Sequence, residues 1–256
     1  MTTALRTTLV SLLALGASTI LSACQTTSAD GIKPHISVVE PAGAATGKPA
    51  PVVFFLQGTG GGSNRANAWA KTLAEAGIAS AVIDNAELRN RANLAGVAAR
   101  DVAQDYAAAL RLMRNDPRVD VTRHAVMGFS SGGTAAMLSG AVLEPDQPRP
   151  RAVIAFYPGS MGDCGETHAA DTAVHVFYGD LDEWGAHAGT RDACRRAMGG
   201  KPRRAFHPVK GAHHGFDDAV TVMWPADGRT FRSEPNPQAR AEVERTLVPL
   251  LKAAFE

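Results

Sequence analysis

The stretch Gly128-Phe129-Ser130-Ser131-Gly132-Gly133 sets two adjacent serines among glycines, directly after the apolar run Ala125-Val126-Met127. Its first five residues fit G-x-S-x-G, with Ser130 at the centre. Glycines on both sides are what a sharp strand-to-helix turn needs, because the backbone there is crowded and leaves no room for neighbouring side chains. A serine hydroxyl is a poor nucleophile until a base takes its proton, and that base needs a third group to orient it. Downstream, an apolar run ending at Tyr178 leads into Gly179-Asp180-Leu181-Asp182, and Gly211-Ala212-His213-His214-Gly215-Phe216 follows. The chain order serine, acid, histidine is the one expected when the serine stands on such a turn. Asp180 or Asp182 could be the acid and His213 or His214 the base. Asp180 could instead cap its own turn, and His213 could be a loop residue or a pocket wall.

Acyl transfer also needs donors where negative charge develops. The backbone N–H of Ser131, the residue after the nucleophile, is one. The second is expected from the loop Gln57-Gly58-Thr59-Gly60-Gly61-Gly62, with Thr59 N–H favoured. A phosphate-cradling reading of this loop fails, since it contains neither G-x-G-x-x-G nor a Walker lysine. The chain has 8 histidines, but none falls in an H-E-x-x-H pattern and no C-x-x-C occurs. No metal or cofactor is expected.

The elements that must position these residues can be read from hydrophobic periodicity. Strands are expected at Ile36 to Glu40 (an edge), Val52 to Leu56, Ala79 to Ile83, Ala125 to Gly128, Ala152 to Phe156, Val174 to Tyr178 and Arg203 to His207. Helices are expected at Ala66 to Ala76, Leu94 to Arg114, Gly132 to Leu143, around Arg191 to Met198, and Pro237 to Ala254. Alternation of this kind implies an α/β domain with a mainly parallel sheet covered on both faces, and chemistry collects at the carboxyl ends of its strands. With 256 residues, 45% of them hydrophobic, the chain is long enough for one sizeable core. No internal repeat and no second folded domain is evident. Basic and acidic residues nearly balance, 26 against 25, and no basic cluster is interleaved with aromatics, so no nucleic-acid partner is expected.

From about Val52 onward the chain resembles the dienelactone hydrolase family of α/β-hydrolases. The resemblance rests on Phe129-Ser130 at the turn, Tyr157-Pro158 after the following strand, a Gly-x-x-Asp at Gly179 to Asp182, and His-Gly-Phe-Asp at His214 to Asp217. It implies an α/β-hydrolase fold with Asp182 as the acid, His214 as the base and an acyl-enzyme on Ser130. The name-giving members carry a cysteine nucleophile where this chain has Ser130, so the resemblance implies a general serine esterase acting on a small-molecule or polymeric ester. Many relatives have His-Gly where Gln57-Gly58 stands; backbone amides do the work there, so the replacement leaves the hole possible. Only a short loop separates Pro158 from Thr172, where lipases of this fold insert a helical cap, so no large cap domain and an open site are expected. Asn64, Arg65, Trp69, Trp184 and Trp224 lie near the functional edge and could line it, although packing or surface roles are commoner for such residues.

The amino terminus differs from the rest. A basic start and the mostly apolar run Leu9 to Leu21 have the layout of a secretory signal peptide. Leu21-Ser22-Ala23-Cys24 resembles the lipobox of bacterial lipoproteins, which implies cleavage after residue 23 and acylation of Cys24. Residues 1–23 are then a signal peptide, 24–35 a tether and 36–256 the hydrolase domain. The resemblance implies a lipid anchor in the bacterial cell envelope, and Gln25 after the cysteine favours the outer membrane. In an exported chain Cys164 and Cys194 are expected to pair. Two other functions fit parts of the pattern: a serine peptidase on small peptides, and a non-catalytic envelope lipoprotein that keeps the fold.

Overall fold

The computed structural model describes residues 27–43, 48–159 and 164–256. The signal peptide, Cys24 and the cleavage site lie outside the described residues. The chain runs through a short helix α1 (Ala29–Ile32), β1 (Ile36–Val39), β2 (Ala50–Leu56), α2 (Asn64–Glu75), β3 (Ala79–Ile83), α3 (Ala99–Met113), β4 (Val119–Phe129) and α4 (Ser131–Leu138). It continues with β5 (Ala152–Phe156), β6 (Ala173–Gly179), α5 (Glu183–His187), α6 (Thr190–Met198), β7 (Arg204–Val209), β8 (Val222–Ala226), β9 (Arg229–Ser233) and α7 (Pro237–Phe255).

A seven-stranded sheet in the order β1-β3-β2-β4-β5-β6-β7 forms the centre, and helices cover both faces. Only β1 runs antiparallel to its neighbour, β3, at the edge; every other pair is parallel. Strands covered on both faces must be apolar throughout. This is why Val52 to Leu56, Ala79 to Ile83 and Ala152 to Phe156 are buried without interruption. Under the site, Phe129 stacks on Phe156 at 5.6 Å and Phe156 meets Phe177 edge-on at 5.2 Å. Each such ring contributes about 1.5–3 kcal/mol by burial, so the strand ends that carry the functional loops are held rigidly.

Tertiary contacts override the periodic pattern in several places. The helix expected from Leu94 begins at Ala99, because Gly96 takes a positive φ of 75° and Leu94 N–H donates to the Thr59 carbonyl at 2.8 Å. That bond ties the residues before α3 to the loop after β2. The helix expected through Leu143 ends at Leu138 and continues as a 3-10 turn, Ser139–Val142. β4 is longer than expected and starts at Val119. The segment expected as a tether is docked from Thr27: its hydroxyl donates to Asp105 at 2.8 Å, and Ile32 is fully buried. The β8–β9 hairpin, absent from the periodicity reading, is a difference with a legible cause. Asp227-Gly228, both at positive φ, forms the two-residue turn that Asp-Gly signals. Cys164 and Cys194 are joined by a disulfide, with Cα atoms 4.8 Å apart, and it ties the segment after β5 to α6. Closing a loop across a sequence separation of 30 removes unfolded-state entropy worth about 3.5 kcal/mol.

The core also contains a histidine that acid should charge. His124 on β4 is fully buried between Tyr106, whose hydroxyl lies 2.6 Å from Nε2, and the Val121 carbonyl, 2.6 Å from Nδ1. Burial lowers its pKa from 6.5 to about 4. In the fold the ring stays neutral down to about 4, while in the unfolded chain it takes a proton near 6.5. The unfolded state therefore binds more protons between those values, and stability falls as pH drops below 6.5, with the loss complete near 4. A loss on the order of 2 kcal/mol is expected at pH 5 from this residue. Urea midpoints at pH 7.5 and 5 check it, and His124→Gln should shrink the difference without abolishing it, because burial also lowers the pKa of His168, His175 and His207; an unchanged slope in that variant would assign the effect elsewhere.

Candidate active site

Ser130 stands between the end of β4 and the start of α4, with φ 52° and ψ −119°. A non-glycine residue at such angles is strained by about 1–3 kcal/mol and persists only where its surroundings hold it. They do so by three backbone bonds: Ser130 N–H donates to Phe156 O, and Ser130 O accepts from Thr134 N–H and Gly159 N–H, at 3.0 to 3.1 Å. The glycines are needed because the turn is closed on itself. A Cβ at Gly128 would lie 2.0 Å from the Gly132 carbonyl oxygen, and one at Gly132 would lie 2.3 Å from Gln57 O.

From this perch the Ser130 hydroxyl lies 3.1 Å from His214 Nε2, and His214 Nδ1 lies 2.9 Å from Asp182 Oδ2. Asp182 is fully buried and His214 nearly so. The other carboxylate oxygen of Asp182 accepts the Gly185 N–H at 2.8 Å, as the N-cap of α5. The acid is thus fixed by the helix that begins beside it. The structure separates the candidates that the residues alone left open. Asp180 accepts Gly211 N–H at 2.7 Å and braces the turn between β6 and the histidine loop. His213 faces Glu234 at 3.7 Å.

The loop after β2 lies against the turn. Gly58 has no room for a Cβ, which would come 2.9 Å from Phe129 O, and the Thr59 hydroxyl donates to Ser131 Oγ at 3.0 Å. Gln57 is buried and knits the loop together: its amide donates to Ser63 Oγ and its carbonyl accepts Ala86 N–H, both at 3.1 Å. The residue that replaces histidine here is therefore a brace for the loop that carries Thr59.

Behind the histidine lies a network that periodicity could not show. Asp217 is buried, accepts the Trp69 indole N–H at 2.7 Å, and also accepts the Tyr157 hydroxyl. The Tyr157 ring packs against the His214 imidazole with centroids 4.5 Å apart. Arg65 pairs with Asp218, and its guanidinium lies 5.4 Å from the Phe129 ring centroid and 5.8 Å from that of Tyr157. Burial opposes its charge, while the neighbouring carboxylates of Asp217 and Asp218 favour it, and its pKa is raised. Burial likewise pushes the Tyr157 hydroxyl well above its ordinary value, so it remains a donor to Asp217. Of the residues expected near the functional edge, Arg65 and Trp69 belong to this support, while Trp224 lies 5.4 Å from the His214 ring and packs against Trp184.

A mainly parallel sheet carrying a strained serine at a strand end, with a histidine and a buried aspartate in line, is the α/β-hydrolase architecture. The sequence pattern of the dienelactone hydrolase family matches residues 38–253, and the chain belongs to that family. It is a hydrolase of the carboxylic-ester type. Among solved structures it is similar to a dienelactone hydrolase from Anabaena variabilis, at 18% identity and a TM-score of 0.61 over 86% of this chain and 92% of that one. It is also similar to carboxyl esterase 2 from the mycorrhizal fungus Tuber melanosporum, with 18% identity and a TM-score of 0.60 over 86% and 83%. A dienelactone hydrolase-like promiscuous phosphotriesterase from metagenomic libraries aligns with 20% identity and a TM-score of 0.58 over 87% and 100%. At such identities these likenesses speak for the fold. No curated protein matches the chain.

Proposed function

We propose that the protein is a serine esterase that works through an acyl-enzyme on Ser130. The observation that carries this reading is the continuous line from the Ser130 hydroxyl to His214 at 3.1 Å and on to the buried Asp182 at 2.9 Å. His214 Nε2 takes the Ser130 proton as Oγ bonds to the ester carbonyl carbon, and the imidazolium then gives that proton to the alcohol oxygen as the C–O bond breaks. Asp182 holds the imidazole in the tautomer with its proton on Nδ1 and stabilises the imidazolium. The N–H groups of Thr59 and Ser131 receive the oxyanion. Water, deprotonated by the same histidine, releases the acid and restores Ser130.

A fluorophosphonate probe is expected to label Ser130 alone, and labelling should track loss of activity on simple acetate esters. A wild-type protein that turns over no ester and resists the probe would overturn the reading. The same proposal extends to the amino terminus on sequence grounds: Cys24 is acylated and holds the enzyme at the cell envelope. Incorporation of labelled palmitate that disappears in Cys24→Ala would test that part separately.

A further inference from the structure

We propose that the β8–β9 hairpin is the specificity element of the site, and that its Trp224 forms a wall for an aromatic or bulky apolar group in the alcohol part of the ester. The proposal rests on the esterase reading above and adds the substrate class.

The hairpin is built onto the catalytic histidine. Ser233 of β9 bridges His214, Glu234 N–H donates to His214 O at 3.0 Å, and Asn236 N–H donates to Phe216 O at 2.8 Å. Gly215 sits at φ 62° with its α-carbon against Ser233, where a Cβ would fall 2.0 Å from the Ser233 hydroxyl. β8 pairs with β9 so that Trp224 stands opposite Phe231. Both rings face Trp184 on α5, at 6.2 and 5.0 Å, and α5 is the helix that Asp182 caps. Phe231 is the buried foundation of this cluster. Trp224 is its partly exposed top, and its ring centroid is 5.4 Å from that of His214.

Among the described residues the exposed large hydrophobic side chains are Leu181, Val220, Val222 and Met223, between 44% and 58% accessible. Leu181 directly precedes Asp182, and the others lead into or belong to β8, where Val222 shares the strand face of Trp224 and Met223 takes the opposite one. Val222 thus extends the apolar face that Trp224 presents, and exposed apolar surface beside a reactive group is where apolar matter binds.

Proton transfer decides which half of the ester meets this wall. The imidazolium must deliver its proton to the leaving oxygen, so the alcohol part lies on the His214 side, while the acyl oxygen points to the amides of Thr59 and Ser131. Trp224, beside His214, therefore faces the alcohol. An aromatic alcohol would stack on or meet Trp224 edge-on, and displace water from its partly exposed ring.

The test uses acetates of methanol, benzyl alcohol and 2-naphthylmethanol, whose leaving alcohols are similarly acidic. All three form the same acetyl-enzyme, so differences report the alcohol site during acylation. Wild-type kcat/KM should rise by about 10- to 100-fold from methyl to the arylmethyl esters. Trp224→Ala should reduce that ratio at least tenfold, and Trp224→Phe should restore most of it. Discrimination among methyl esters of acetic, hexanoic and phenylacetic acid should be unaffected. Turnover of all acetates without discrimination, or a ratio unchanged in Trp224→Ala, would overturn the proposal while leaving the esterase reading intact. A change confined to the acyl series would overturn it as well. Absence of any turnover would instead sink the esterase reading. Should Trp224→Ala fail to fold, Trp224→Gln, which removes the ring but keeps a longer side chain, takes its place and should lower the ratio in the same way; an unchanged ratio there would overturn the proposal.

Discussion

Ser130→Ala is expected to lower ester hydrolysis on the order of a million-fold, as loss of a nucleophile does where serine and histidine act as a unit. The fold should survive, because alanine fits the same space and the backbone bonds from Phe156, Thr134 and Gly159 do not use the hydroxyl. Ser131→Ala, one residue on, is expected to cost about tenfold or less. Among the described residues its hydroxyl accepts from Thr59 at 3.0 Å, and the contribution proposed for it is the backbone N–H, which alanine keeps. Steady-state kinetics with active-site titration, beside urea melts of both variants, separates the two. Comparable losses from the adjacent serines would remove Ser130 from the role of nucleophile.

The largest effect on stability is expected from Gly132→Ala and Gly128→Ala. The atoms a new Cβ would meet are backbone: Leu56 O and Gln57 O at 2.4 and 2.3 Å for residue 132, and Gly132 O at 2.0 Å for residue 128. No rotamer change can clear them. Either β2, β4 and α4 separate or the serine turn opens, and a destabilisation of about 3 kcal/mol or more follows, above the usual cost of overpacking. Gly60→Ala is the stability control, since nothing lies within 4 Å of a Cβ there. Chemical denaturation of the three variants checks the order. A Gly132→Ala protein as stable as Gly60→Ala would mean that the close approach of the loop after β2 to the serine turn is not required.

The same close approach explains why so much of the site was legible beforehand. A strained serine on a crowded turn leaves a signature of small residues within five positions, and chain order supplies the rest. The strands under it are buried on both faces, so their apolar runs stand out against the polar loops. Where the reading of elements fell short, long-range contacts had overruled local pattern. Leu94 to Ala98 has helical spacing but is held by the Thr59 carbonyl. Thr27 to His35 looks like a linker, yet Ile32 fills a gap in the core. The hairpin was within reach, because Asp227-Gly228 is a strong turn signal, but its flanking strands are short, exposed and irregular in hydrophobicity.

Residue types and spacing by themselves determined the parallel α/β order, the serine turn, and the short set of acids and histidines that could serve it. They also carried the expectation that Cys164 pairs with Cys194. Residue types left Asp180 and Asp182 open, the family resemblance pointed to Asp182, and the tertiary structure sets Asp182 rather than Asp180 against the imidazole. Likewise, it brings His214, the base that the resemblance implies, and not His213, to Ser130. It also revealed the Arg65, Tyr157, Asp217 and Asp218 support and set Trp224 beside the histidine. The physical reason is range. Backbone conformation and burial pattern are local properties written over a few residues. The decisive hydrogen bonds span 32 and 84 positions of chain, and their partners are chosen by how distant segments pack.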